Sequence, residues 1–212
     1  TELVSLSAVG SLEESVSPGT FVIVDQFVDK TYLRKKTFFE KGLVAHVSLA
    51  DPTCKNMNCI IKEAAKESSI EIHENGVYVV IEGPQFSSKI ESEIYRKWGC
   101  NVIGMTNMPE AKLAREAEIC YSTIAMVTDY DCWHPSHDSV TVEMILQQMA
   151  KNVVKAKKII PYIVGQHRRS ITNGKNCSCK DVLDAAIVTP KGDWNSASIA
   201  RCLNVAGRVL NK

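Results

Sequence analysis

Ile119-Cys120-Tyr121-Ser122-Thr123-Ile124-Ala125-Met126-Val127 runs directly into Thr128-Asp129-Tyr130-Asp131-Cys132-Trp133. The first part has the β-branched and aromatic composition of a buried strand. The second puts two carboxylates and an indole where that strand leaves its sheet. In open α/β folds, ligands are held in the crevice at the carboxyl ends of strands. Asp129 and Asp131 therefore stand where a ligand would be read. Taken alone, the pair serves equally well as helix caps or as loop decoration.

Two further strand ends tilt the reading toward a site. Gly76–Ile81 reads as a buried strand and meets Glu82-Gly83-Pro84-Gln85-Phe86-Ser87-Ser88. The Gly-Pro pair breaks it, because proline lacks an amide donor and restricts the residue before it. Ser88 and Glu91 then have capping-box spacing for a helix through Lys97. A third strand, Asn101–Gly104, leads to Met105-Thr106-Asn107-Met108-Pro109. Three strand ends thus carry Phe86 and Ser87, Met105 and Thr106, and Asp129 and Asp131. An apolar face, hydroxyls and two carboxylates suit a small polar ligand with a flat ring.

Strands and helices alternate along the chain, which argues for an α/β fold. Further strands are expected at Leu3–Leu6, Phe21–Val24 and Val44–Val47, and helices at Lys55–Ser68, Lys89–Lys97, Pro109–Glu116 and Val142–Ile160. Val142, Ile145, Leu146, Met149, Val153 and Ala156 recur at helical spacing behind Thr141, a suitable N-cap. The helix should stop before Pro161, and Gly165–Asn176 reads as a polar, basic loop. Ser178 and Asp181 could start a short helix through Ile187. Ile199, Leu203, Ala206 and Leu210 mark a terminal amphipathic helix. The organisation expected is a main domain over residues 1–164, a loop with a short helix over 165–190, and the terminal helix within 191–212.

Composition narrows the classes. With 25 Lys and Arg against 24 Asp and Glu, the formal net charge is +1, so no strong field draws in nucleic acid. Arg34-Lys35-Lys36 is the clearest charge run and reads as a solvated face. No apolar run approaches the roughly 20 residues of a membrane span. The 8 cysteines, Cys54, Cys59, Cys100, Cys120, Cys132, Cys177, Cys179 and Cys202, fall mostly in apolar segments, where free Cys behaves as a small hydrophobe. Without a secretory signal, the reduced state and a cytoplasmic setting are favoured. Cys177-Ser178-Cys179 is the exception, close-spaced in a polar stretch. A zinc site needs more ligands, and only His167 lies near in sequence, so the expectation is inert thiols and no metal.

The ordered set of motifs resembles the S-methyl-5'-thioadenosine phosphorylases of the trimeric purine nucleoside phosphorylase family. It is carried by Ser7-Ala8-Val9-Gly10-Ser11, Pro18-Gly19, Asp25-Gln26-Phe27, Ala45-His46, Ala50-Asp51-Pro52 and Val80-Ile81-Glu82-Gly83-Pro84-Gln85-Phe86-Ser87-Ser88. Gly104-Met105-Thr106, Leu113-Ala114-Arg115-Glu116 and Ala125-Met126-Val127-Thr128-Asp129-Tyr130-Asp131-Cys132-Trp133 complete it, over about residues 4–164. The Cys-x-Cys pair also resembles one placed late in thermophilic relatives. Two departures are Pro18-Gly19-Thr20 for the family's Pro-Gly-Asp and Asp29-Lys30-Thr31 for its Asp-Arg-Thr.

The resemblance implies a mixed central sheet flanked by helices and phosphorolysis of a purine nucleoside. Asp129 would activate the departing base, with Asp131 and Ser87 in the base pocket and Phe86 stacking on the ring. Ser7, Ala8 and Thr106 would bind phosphate, a co-substrate, with no cofactor. Met105 would lie against the ribose, and Val142 and Ile145 would line the methylthio pocket. His46 would reach that pocket from a neighbouring subunit of a homotrimer. From spacing alone, His46, Val142, Ile145 and Met105 read as ordinary core. The partners implied are nucleoside and inorganic phosphate, with no nucleic acid and no membrane.

The chain opens on Thr1-Glu2-Leu3-Val4 as if inside a domain, without the glycine-rich phosphate loop and Arg-His pair of the family. That arrangement predicts missing N-terminal strands, unpaired sheet edges, and little phosphorolysis from residues 1–212 alone. A phosphorylase for another purine nucleoside, or a fragment with only a structural or binding role, are the competing readings.

Overall fold

The computed structural model describes residues 2–134, 142–172 and 177–211. Five strands are present: β1 (Glu2–Ser11), β2 (Phe21–Lys30), β3 (Ile72–Ile81), β4 (Val102–Gly104) and β5 (Cys120–Asp129). They close in the order β1-β4-β3-β2-β5, with β5 returning to β1. The sheet is mixed, as expected. β1/β5, β2/β3 and β3/β4 are parallel, while β1/β4 and β2/β5 are antiparallel. The closure is the difference from an open sheet, and it is short on one side. β1 pairs with β5 from Glu2 to Gly10 but meets β4 only at Gly10 and Ser11. Along Glu2–Val9 the side facing away from β5 has no strand partner among the described residues.

Strand alternation divides the apolar side chains between layers. Phe21 and Ile23 of β2, with Ile124 and Met126 of β5, turn toward helices α1 (Lys55–Glu67) and α4 (Val142–Thr172). Val22, Val24, Tyr78, Val80, Ala125 and Val127 turn the other way and pack with Met108, Ala111 and Ala114 of α3 (Asn107–Glu116). Helix α2 (Lys89–Lys97) starts on the predicted capping box: the Ser88 side chain accepts from the Glu91 backbone while Glu91 reaches back to the Ser88 amide. Tyr95 of α2 is buried with Leu12, Val79, Cys100 and Ile103.

Several expectations are corrected. Val44–Val47 is not a strand; it makes one isolated antiparallel bridge, Ala45 with Ile187, in which the His46 amide donates to Ala186 and the Val188 amide to Val44. Its apolar residues instead serve a separate core with Phe39, Leu43, Leu183, Ala186 and Cys202. The helix from Val142 does not stop at Pro161 but continues to Thr172. Pro161 faces solvent while Ile159 and Ile163 on either side are buried, so packing outweighs the lost amide bond. Residues 165–172 are therefore helix rather than loop, and 173–176 lie outside the described residues, as does Thr141. Ser178 and Asp181 bound a single 3-10 turn rather than a helix through Ile187. The terminal helix α5 (Ser196–Leu210) is present, but it buries Cys202, Ala206, Val209 and Leu210, leaving Leu203 exposed.

Candidate active site

The strand register assembles the site. β1 and β4 are antiparallel with Gly10 opposite Ile103 and Ser11 opposite Val102. Continuing that register past Gly104 brings the middle of β1, not its end, beside Thr106. The Ser7 and Thr106 hydroxyl oxygens are 2.6 Å apart, and the Tyr78 hydroxyl lies 3.2 Å from Ser7. Tyr78 enters this cluster because Gly104 has no side chain: a Cβ there would sit 2.2 Å from the Tyr78 hydroxyl oxygen.

On its other side β1 pairs with β5, and the register slips between Val9 and Gly10. Val9 faces Val127, but Gly10 faces Asp129, so Thr128 is the extra residue of a β-bulge. The bulge turns Asp129 over Gly10, where a Cβ would lie 3.1 Å from its Oδ2. Thr128 Oγ1 donates to Asp129 Oδ1 at 2.6 Å, and the Asp131 amide donates to Oδ2 at 3.0 Å. Burial pushes the Asp129 carboxyl up to about 6; the Thr128 hydrogen bond opposes this and the Asp131 charge adds to it. Asp131 is 8 % exposed and sits at φ 29°, a left-handed turn that aspartate tolerates better than most residues. Its Oδ2 accepts from Ser87 Oγ at 3.0 Å.

These groups line a cavity of about 210 Å³. Of the residues singled out from sequence, Ala8, Phe86, Ser87, Met105, Thr106, Asp129, Asp131 and Ile145 are in its wall. Ser7 stands behind the wall and is bonded to Thr106. Val142 does not line the cavity and is 64 % exposed, because at the first residue of α4 it points to solvent. His46 is exposed and outside this lining, and its backbone amide donates to Ala186. Trp133 is turned away, donating to the Ser11 carbonyl at 2.7 Å and stacking under Arg96.

Sequence reasoning missed the apolar walls Val9, Ile81 and Ile103, the Tyr78 hydroxyl and, above all, Arg34. Far from a solvated face, Arg34 donates to the carbonyls of Met105 at 2.6 Å, Met108 at 2.5 Å and Glu82 at 2.8 Å. It thus ties together the exits of β3 and β4, each of which contributes to the cavity. Lys36 likewise turns inward to Asp29. Burial alone would raise the Asp29 carboxyl, but hydrogen bonds from Lys112, Thr31 and Lys36 hold it well below the usual carboxylate range. Lys35 between them stays exposed, and nothing local to the run marks which of its members turns inward.

A second hollow, about 590 Å³, lies beyond Phe86 and Ser87. Charges on its wall are already spoken for: Glu82 accepts from the Tyr32 amide, and Asp29 is bound to Lys36 and Lys112. The smaller cavity is the better candidate.

A family model described as the phosphorylase superfamily matches residues 1–164. The S-methyl-5'-thioadenosine phosphorylase of Cereibacter sphaeroides is 49% identical over 99% of this chain and 72% of its own length. Among solved structures, a methylthioadenosine phosphorylase from an Antarctic soil metagenomic library superposes with a TM-score of 0.88 at 42% identity, over 96% of this chain and 71% of that one. A Schistosoma mansoni methylthioadenosine phosphorylase in complex with adenine gives a TM-score of 0.81 at 31% identity, over 90% and 73% of the two chains. The bulge-presented Asp129, the Ser87–Asp131 pair and the Ser7–Thr106 hydroxyls are thus set in a fold shared with these enzymes, and the chain belongs to the phosphorylase superfamily, among the S-methyl-5'-thioadenosine phosphorylases.

Proposed function

We propose that this protein splits S-methyl-5'-thioadenosine with inorganic phosphate, giving adenine and 5-methylthioribose 1-phosphate, a step of purine and methionine salvage. The observation that carries this reading is the polarity of the cavity. Carboxylates Asp129 and Asp131 with Ser87 occupy one part, the Thr106 hydroxyl, backed by Ser7, another, and Met105 and Ile145 supply apolar wall. A phosphate oxygen attacks C1' of the ribose as the C1'–N9 bond breaks, and its electron pair passes into the purine. Asp129, which holds its proton to about pH 6, gives a proton or a hydrogen bond to N7. Its other oxygen accepts from the exocyclic 6-amino group. A 6-oxopurine presents acceptors at both places, and the mismatch costs ~1–3 kcal/mol, about ten- to a hundredfold in selectivity. Asp129 therefore weighs against an oxopurine phosphorylase.

At the anion end, Ser7, Thr106 and the Ala8 backbone are the donors on hand. No Arg, Lys or His stands in the described lining, so phosphate charge must be met by groups beyond it. We place His46 in the methylthio pocket of a neighbouring subunit, in a homotrimer, because it is exposed and remote from its own cavity. A cytoplasmic setting fits eight unpaired cysteines, and no described helix is long and apolar enough to cross a membrane. The test is adenine release from methylthioadenosine, with and without phosphate, alongside light scattering. Phosphate-independent release, or none from either this chain or a front-extended version, defeats the reaction assigned; a fully active monomer defeats the role of His46.

A further inference from the structure

Four cysteines from three separate segments meet at the other end of β5. Cys54 precedes the first turn of α1, Cys120 opens β5, and Cys177 and Cys179 flank the start of the 3-10 turn at Ser178–Asp181. All four sulfurs lie within 4.8 Å of one another, and the Cys120 and Cys177 sulfurs are 3.1 Å apart. None is in a disulfide. Cys54, Cys120 and Cys179 are buried, and Cys177 is half-buried.

We propose that Cys54, Cys120, Cys177 and Cys179 are the ligands of a single thiophilic divalent cation, zinc foremost, in a closed tetrathiolate site. With Zn–S bonds of ~2.3 Å, a tetrahedron has S–S edges of about 3.8 Å, within the spread already present. All four corners are sulfur, so no open position remains for water or substrate, and the role is structural. Binding replaces four S–H bonds with four S–metal bonds and releases the protons to solvent, with no change of oxidation state.

The surroundings favour the excess negative charge of such a centre. The amides of Asn56 and Met57, at the amino end of α1, face Cys54. Arg115 places Nη1 3.6 Å from the Cys179 sulfur, and its buried Nε has no hydrogen-bond partner among the described residues. Arg115 also donates from Nη2 to the Asp51 carbonyl and acts on the Asp51 carboxylate; a dianionic metal–thiolate centre beside Nη1 would give it a second counter-charge. The ion would tie the segment that follows α4 to the starts of α1 and β5. His167, the nearest candidate by sequence, is not part of the cluster; its Nε2 lies 3.6 Å from Glu2.

The experiment uses the native protein, expressed with zinc supplementation and purified under reductant. Elemental analysis should find about one zinc per chain, with Cys54, Cys120, Cys177 and Cys179 gaining reactivity toward alkylation when a chelator is added, while the buried Cys100 and Cys202 respond alike with and without it. Replacement by cobalt should give sulfur-to-cobalt charge-transfer bands with the visible absorption of tetrahedral coordination. Cys54→Ser and Cys179→Ser should each weaken metal retention by more than the roughly tenfold loss seen on removing an outer-shell partner. Cobalt absorption of the native protein decides the matter even if both variants fold poorly. Substoichiometric metal with these four thiols equally reactive with and without chelator, octahedral cobalt, or Cys54, Cys120, Cys177 and Cys179 found in disulfides after reducing purification would each overturn the site.

Discussion

The two ends of β5 carry the two chemistries of this molecule, carboxylates and hydroxyls at one and thiols at the other. At its carboxyl end, Asp129 and Asp131 are neighbours in sequence, joined by Ser87 from one other strand exit. At its amino end, Cys120 is one member of a set whose others are Cys54, Cys177 and Cys179. Each joins one close pair, Asp129 and Asp131 or Cys177 and Cys179, to residues far away in sequence. An extended strand from Cys120 to Asp129 separates them by about 30 Å at ~3.3 Å per residue. Catalysis and stability should therefore be separable along a single strand.

The strongest attack on that separation is Asp129→Asn. Loss of the proton donor should lower kcat/KM for methylthioadenosine by about 10²–10⁴, with less loss for methylthioinosine, whose 6-oxo group an amide can serve. An unchanged ratio of the two substrates removes Asp129 as selector. The wild-type kcat/KM profile should also fall as pH rises through about 6, where Asp129 loses its proton, and that limb should vanish in Asp129→Asn. Titration of phosphate itself is common to both enzymes and drops out of the comparison.

Next in size is the effect of the same group on stability. The folded state holds the Asp129 proton to about 6 against an ordinary 3.8. The fold is therefore penalised as pH rises through that window, by up to about 3 kcal/mol, and the penalty is complete above it. Asp129→Asn should gain in Tm relative to wild type between pH 4 and pH 7. A constant difference across that range would show that the carboxyl titrates normally.

Thr106→Val keeps the shape of the anion end but removes a hydroxyl that would face phosphate. A hydrogen bond to a charged group is worth about 1.5–3 kcal/mol, so phosphate KM should rise roughly ten- to a hundredfold, with nucleoside KM nearly unmoved. An equal rise in both would place Thr106 elsewhere in the reaction.

Smaller still is Gly10→Ala. The new methyl would sit 3.1–3.3 Å from Asp129, Ile103 and Asp131, so these groups must shift by a few tenths of an ångström. Since a 1 Å misplacement can cost 10²-fold, a loss of about tenfold in kcat/KM is expected, with purine selectivity retained. Activity equal to wild type would mean that the bulge does not position Asp129.

The smallest catalytic effect belongs to the other end of the strand. Cys179→Ser should leave kcat/KM within about twofold for the folded protein at 25 °C while lowering Tm, because sites this far apart with no shared partners act nearly independently. A large kinetic change without a stability change would join the two ends that the structure keeps apart.

Much of the carboxyl end was legible because strand ends announce themselves locally. Buried-strand composition, the Gly83-Pro84 break and the Ser88–Glu91 cap each act within a few residues, and they located Phe86, Ser87, Met105, Thr106, Asp129 and Asp131. Naming Ser7, Ala8 and Ile145 required family resemblance, since a serine in a strand or an isoleucine in a helix has no local mark. Val142 and His46, both exposed and outside the lining, rest on resemblance alone. Arg34 shows the limit of composition: the same guanidinium is a solvated charge or a half-buried clamp depending on which carbonyls the fold brings to it.

By itself the sequence determined an alternating α/β chain, the helix boundaries near Lys55, Lys89 and Glu116, and a pair of aspartates at the end of a buried strand. These follow from interactions that close over a few residues: periodic burial, caps, and the steric limits of Gly and Pro. Tertiary structure alone decided the closure of the strands, the Val9–Gly10 slip that aims Asp129, the continuation of α4 through Pro161, and the meeting of Cys54, Cys120, Cys177 and Cys179. Each of these depends on register or packing between distant segments, and no short window of the sequence contains all the partners.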